Sequence, residues 1–192
     1  MNTSKLKTSI EELVIPNLTL SHVKKGVGQR AYADEIESQF ISEVKKEFND
    51  VTEASSVKST EDVGIGNTLI DVKSSDEDRE FKMPNLISID KLRKKYHDNP
   101  ILYVIITYSS KQHKIIGSKL FYVWELPWKH LAMQNLGKGQ LQIRNMKDFL
   151  DDVENFPKIT KDEWYQEFLK QGKTYYTKMI TKMENYLENW EV

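Results

Sequence analysis

The sequence predicts an α/β fold, a mixed central sheet flanked by helices and closed by C-terminal helices, and three stretches carry that expectation. Ala31 to Phe48 places Ile36, Phe40, Ile41, Val44 and Phe48 at intervals of three and four, one apolar stripe of a helix. Ile101 to Tyr108 is an unbroken, β-branched apolar run, the pattern of a strand buried on both faces, and it is expected to be the central strand. From Lys161 to Glu191, Trp164, Phe168, Leu169, Tyr176, Met179, Ile180, Met183, Tyr186, Leu187 and Trp190 recur at helical spacing, interrupted by Gly172, which reads as two consecutive helices or one bent one. This aromatic stripe suits core or dimer packing better than a ligand box.

The intervening elements follow from local chemistry. Thr68 to Lys73 is β-branched and reads as a strand, and Gly64, Gly66 and Asn67 supply a turn before it, so a hairpin is expected from about Val57 to Lys73. Ser74 to Lys82 is polar and charged and reads as an exposed loop. Met83-Pro84-Asn85 opens a helix to about Tyr96. Asn99-Pro100 ends that unit, and after Tyr108 a turn leads to a strand at Ile115 to Trp124 and then to a short strand at Gln140 to Arg144. The whole reads as a single domain over 1–192, with a core at about 31–145 and a C-terminal helical part at about 146–192.

A chain of 192 residues buries a real core without staples. Absence of cysteine excludes a disulfide framework, a thiolate zinc site and a cysteine nucleophile. The opening residues lack the apolar run of a signal peptide, and no stretch approaches a spanning helix, so a cytoplasmic protein without a membrane partner is expected. His22, His97, His113 and His130 share no ligand spacing, and Gly64-Ile65-Gly66 lacks the third glycine of a nucleotide-binding loop. The net charge of −1 leaves nucleic acid open because the charges are segregated: acidic residues gather at 35–43, 76–80 and 148–154, while Lys91, Arg93, Lys94 and Lys95 form a basic run.

One constellation carries chemistry. Residues two apart on a strand share a face, so Asp71 and Lys73 point one way while Ile70 and Val72 point into the core. A carboxylate at the strand end can hold a hard divalent ion, and an amine beside it can stabilise or deprotonate an attacking water. A second carboxylate is needed. The hairpin can return Asp62 alongside Asp71, with Glu61 as the alternative because a one-residue slip reverses the face.

The stretch Leu69-Ile70-Asp71-Val72-Lys73, followed by Pro84-Asn85-Leu86-Ile87-Ser88, resembles the catalytic segment of the PD-(D/E)xK type II restriction endonucleases in the branch around HincII, where a D-V-K strand precedes P-N-I-I-S. Gly139 to Asn145 is similar to a late recognition strand of that family, and Thr160-Lys161-Asp162-Glu163-Trp164 resembles its entry to the C-terminal helices. The resemblance implies a restriction-endonuclease-like core and a homodimer that cuts both strands of a short palindromic duplex with Mg²⁺ (Mn²⁺ substituting), leaves 5′-phosphates, and works in a bacterial cytoplasm beside a DNA methyltransferase. By the same likeness Asp71 and Asp62 are metal ligands and Lys73 the catalytic lysine, although Asp62 lies closer to Asp71 than the family pattern has it. Glu37 matches an acidic position of the early helix, with a solvated helix carboxylate as the plain alternative.

For DNA contact the likeness and side-chain chemistry single out Asn85, Gln140, Gln142 and Asn145, whose amides suit base edges, and Lys138, between two glycines, for a phosphate. Phe81 and Lys82 stand where the family carries small and amide residues; Phe81 is placed either between base pairs or under its loop. Two other readings remain: a structure-selective repair or recombination nuclease of the same fold, and a catalytically inactive DNA-binding module in which Asp71 and Lys73 only pair with each other.

Overall fold

The computed structural model describes residues 3–21, 23–24, 28–54, 61–79, 84–134 and 139–190. In chain order the elements are α1 (Thr3–Ser9), α2 (Gln29–Glu47), β1 (Val51–Glu53), β2 (Val63–Ile65), β3 (Thr68–Asp76), β4 (Asn85–Ser88), α3 (Ile89–Lys95), β5 (Ile101–Ser109), β6 (Lys114–Tyr122), β7 (Leu131–Gln134), β8 (Gln140–Ile143), α4 (Met146–Asp151) and α5 (Lys161–Glu188). A five-stranded sheet runs β1-β2-β3-β5-β6; β3 and β5 are parallel and the other neighbours antiparallel, so the sheet is mixed. A second sheet, β4-β8-β7, is antiparallel. The α/β class, the mixed sheet and the C-terminal helical part are as the sequence leads one to expect.

Alternation along the inner strands explains how one sheet serves two cores. Ile70, Val72, Leu102, Val104 and Ile106 face α2, whose Tyr32, Ile36, Phe40 and Val44 are buried against them together with the N-terminal helix. Ile101, Tyr103, Ile105 and Phe121 face the opposite way, onto α3, the second sheet, α4 and the first half of α5. Strand β5, buried along nearly its whole length, therefore carries apolar residues at consecutive positions.

Four expectations need correction. The middle of the sheet is β3, with β5 next to it, because β1 and β2 add two antiparallel strands on one side and β6 only one on the other. The expected loop from Ser74 begins later: Ser74, Ser75 and Asp76 remain in β3, paired with Ile106, Thr107 and Tyr108 of β5. Asn85 to Ser88 is a strand and the helix starts only at Ile89, where the Ser88 hydroxyl accepts from the Lys91 N–H. The apolar residues 86 and 87 are pulled into a strand by β8, a partner that lies far away in sequence. Helix α5 is one continuous helix through Gly172, where a Cβ would stand at an ordinary contact distance of 3.7 Å from Ile89 Cγ2. The β2–β3 turn is also tighter than expected, two residues, with Gly66 at φ +57° supplying the left-handed backbone of a tight hairpin. Among the described residues no helix is long and apolar enough to cross a membrane.

Candidate active site

Asp71 sits in the interior of β3, not at its end, and is 6% exposed. Its side chain leaves the sheet on the face opposite Ile70 and Val72, which are committed to the α2 core. Lys73 follows on the same face, and its Nζ lies 2.5 Å from Asp71 Oδ1.

The tight hairpin settles which acidic neighbour meets this pair. Val63 faces Ile70 across β2 and β3, and the ladder runs one step further, the Asp62 N–H donating to the Ile70 carbonyl at 2.8 Å. That register puts Asp62 beside Asp71. Asp62 Oδ2 accepts from the Val72 N–H at 2.7 Å, which anchors the side chain against β3. Its carboxylate is also within hydrogen-bonding reach of the Asp71 carboxyl. Glu61 is directed elsewhere and pairs with Lys95 of α3 at 3.2 Å. Glu37, on the third turn of α2, completes the surroundings within electrostatic reach of Asp62 and Lys73. Asp62, Asp71 and Lys73 are therefore brought to one place, with Glu37 in electrostatic reach.

The site holds more negative charge than its surroundings favour. Burial pushes the Asp71 carboxyl up to about 7; Lys73 opposes the rise and the Asp62 carboxylate adds to it. Glu37 is also raised, first by burial and then by Asp62, with Lys73 again pulling the other way. The arrangement is thus two neighbouring aspartates, the buried one favouring its protonated form, beside one ammonium group. Among the described residues no cluster of three or more histidine, cysteine, aspartate or glutamate side chains stands ready as a metal cage; Asp62 and Asp71 provide two carboxylates, and Lys73 occupies one oxygen of the second.

Tyr103 escapes a sequence reading. It lies opposite Asp71 in the parallel β3–β5 register, and its hydroxyl is buried with no hydrogen-bond partner among the described residues. Burial and the Asp71 carboxylate both raise the phenol pKa well above its ordinary value. In the sequence it is one aromatic residue within an apolar run, and only the strand register reveals its neighbour. Further along the same face Ser75 and Thr107 line a cavity of about 490 Å³ that is closed by Met146, Lys147 and Leu150 of α4.

Three of the residues expected to touch DNA share the paired strands β4 and β8. Asn85 and Gln142 face each other across β4 and β8, the Gln142 Nε2 donating to Asn85 Oδ1 at 3.0 Å; Asn85 is exposed and Gln142 buried. Gln140 donates to the Leu86 carbonyl. Asn145 caps α4, its Oδ1 accepting from the Lys147 and Asp148 N–H groups while its amide donates to Asp148, so its polar atoms already have structural work. Phe81, Lys82 and Lys138 lie outside the described residues. No protein-family model matches the chain, and no curated protein matches it significantly, so the geometry alone bears on function.

Proposed function

We propose that this chain is a type II restriction endonuclease of the PD-(D/E)xK kind, a homodimer that hydrolyses one phosphodiester in each strand of a short palindromic duplex, needs Mg²⁺ or Mn²⁺, leaves 5′-phosphates, and acts beside a DNA methyltransferase in a bacterial cytoplasm. The observation that carries the reading is the meeting of Asp62, Asp71 and Lys73 on one face of the β2–β3 hairpin. The order α2, β2, β3, α3, β5, with Asp62 just ahead of the first hairpin strand and Asp71 and Lys73 on the second, supports it.

The donor set fits a hard cation. Asp62 and Asp71 offer oxygen alone, with neither sulfur nor nitrogen, which suits Mg²⁺ and Mn²⁺. A carboxyl pushed up to about 7 by burial, with a second carboxylate adding to the rise, is relieved by a positive ion. Asp62 and Asp71 would hold that ion, with Glu37 adding negative charge nearby. Bound there, it would lower the pKa of a water and draw charge from a phosphoryl oxygen. The chain's own groups do the rest. Asp71 gives its proton to solvent and Lys73 leaves Asp71 for the scissile phosphate, where its ammonium stabilises the charge on the phosphoryl oxygens as water adds to phosphorus, loses a proton to solvent and expels the 3′-oxygen, which takes a proton from solvent. Tyr103 and the apolar residues behind it keep water away from the back of the site. Asn85, standing exposed on the edge strand of the second sheet, is the residue placed to read a base edge.

A catalytically silent module has one observation in its favour, the short Asp71–Lys73 ion pair, which needs no substrate to explain it. Digestion of phage DNA by the purified chain separates the readings. Discrete fragments with Mg²⁺ or Mn²⁺, absent with Lys73→Ala, are expected. Smeared products or a preference for branched DNA would mark a structure-selective nuclease, and intact DNA with either metal would overturn the proposal.

A further inference from the structure

The last turns of α5 stand clear of both cores. Residues 181–190 are exposed without exception, yet Met183, Tyr186, Leu187 and Trp190 among them are large apolar side chains, the last two 76% and 75% exposed. A helical stretch of this length has little stability in water unless a surface supports it. The exposed residues also form a pattern. Leu169, Tyr176, Ile180, Met183, Leu187 and Trp190 follow one another at steps of 7, 4, 3, 4 and 3, the two apolar positions of a heptad repeat, with Lys173 in the one remaining place. This seam lies about a quarter turn around the helix from Trp164, Phe168, Gly172 and Tyr175, which α5 buries against the body.

We propose that this seam is the surface on which two copies of the chain meet, helix α5 against helix α5, antiparallel about a two-fold axis between Ile180 and Met183. The inference rests on the homodimeric reading above for its purpose and adds the surface to it. Area supports a second copy as the occupant. Seven aromatic and aliphatic side chains, Tyr186 included, are between 41% and 76% exposed; at about 150–250 Å² for a fully buried aromatic they supply on the order of the 800 Å² per partner that a standard interface covers. Charge decides the direction. A parallel pair would set Lys173 against Lys173 inside the seam. Antiparallel pairing sets Ile180 against Met183 and Tyr176 against Leu187, and brings Lys173 to the ring of the other copy's Trp190, an attractive cation–aromatic contact.

Sedimentation equilibrium of the full chain, without DNA or metal, tests the pairing apart from any cleavage. The wild type is expected at twice the 22.5 kDa chain mass, and Ile180→Glu/Leu187→Glu at the single mass with its near-UV tertiary spectrum retained, because both side chains are exposed in one copy, its thermal midpoint falling only by what pairing adds. A wild type of single mass, or a variant that stays paired, would overturn the proposal; wild-type monomers that bind lipid vesicles or another protein through the seam would do so as well. Orientation is read in a chain that has no cysteine of its own. Lys173→Cys mixed with Trp190→Cys should form a disulfide between the two variants, and Trp190→Cys linking only to itself would refute the antiparallel arrangement. A failed nuclease with an intact dimer, or a working nuclease with no dimer, would each be visible separately.

Discussion

Asp71 is asked to be buried and charged at once, and the two demands show up in stability before any chemistry. In the metal-free protein its carboxyl is raised from the ordinary 3.8 to about 7, chiefly by burial, with Lys73 opposing and Asp62 reinforcing. Between those values the folded chain holds a proton that the unfolded chain has lost, so stability falls as pH rises through the window and levels off above it. At ~1.4 kcal/mol per unit the loss is on the order of a few kcal/mol. Urea unfolding in a chelator at about pH 5 and about pH 8 should show this decline in the wild type and a much smaller one in Asp71→Asn; equal slopes would contradict the placement of Asp71. Tyr103→Phe is the second expectation at this scale. It deletes a buried hydroxyl with no partner among the described residues, so stability should hold or rise by about 1 kcal/mol, and a loss beyond about 2 kcal/mol would mean that the hydroxyl is bonded. The alternation that puts Asp71 and Lys73 on one face is legible in five consecutive residues. Tyr103 is not, because its position beside Asp71 depends on a parallel register between strands some thirty residues apart.

At the scale of elements, long periodic stretches were legible and short ones were decided by distant partners. The stripe of α2 lies where its spacing puts it, since a helix nineteen residues long writes its own period. Leu86-Ile87 is too brief to distinguish helix from strand, and the answer comes from β8, reached only after the chain has crossed the sheet. Gly172 looks like a break in the sequence, yet α5 runs through it without interruption. Gly139 is where three elements depend on one missing side chain: it enters β8 at φ +53°, its carbonyl accepts from the Ile89 N–H at 2.9 Å, and its N–H donates to the Tyr175 hydroxyl of α5 at 3.2 Å. An added Cβ would lie 2.6 Å from Ile89 Cδ1 and 3.0 Å from Tyr175 Cε1. Gly139→Ala should therefore cost about 2–4 kcal/mol, from left-handed backbone strain together with overpacking, measured as a lower urea midpoint at constant slope. A cost below about 0.5 kcal/mol would show that the three elements are less closely joined than this geometry requires.

Across the whole molecule, the sheet is one layer shared by two apolar cores, and that sharing fixes how the chain should unfold. Val104 and Ile105 are chain neighbours, yet the first is buried against α2 and the second against the α3, α4 and α5 side. Neither core can come apart without stripping one face from β5. A loss on one side should therefore be felt on the other, as in a single cooperative transition. Phe40, fully buried under the first core, and Phe168, buried in the second, allow a direct test. Each change to alanine should lower stability by about 3–5 kcal/mol. Tryptophan fluorescence is weighted toward the second core, where Trp128 and Trp164 stack at 5.0 Å between ring centroids, whereas far-UV circular dichroism reports both sides. Under one transition, Phe40→Ala shifts the fluorescence midpoint as far as it shifts the dichroism midpoint, although the substituted ring lies on the opposite face of the sheet from the stacked Trp128 and Trp164 and only Trp124 touches both cores. If the fluorescence midpoint stayed at its wild-type value while dichroism moved, the two faces would be independent units, and Asp62 and Asp71, set side by side by the β2–β3 ladder, would lose the rigid backing that holds them together.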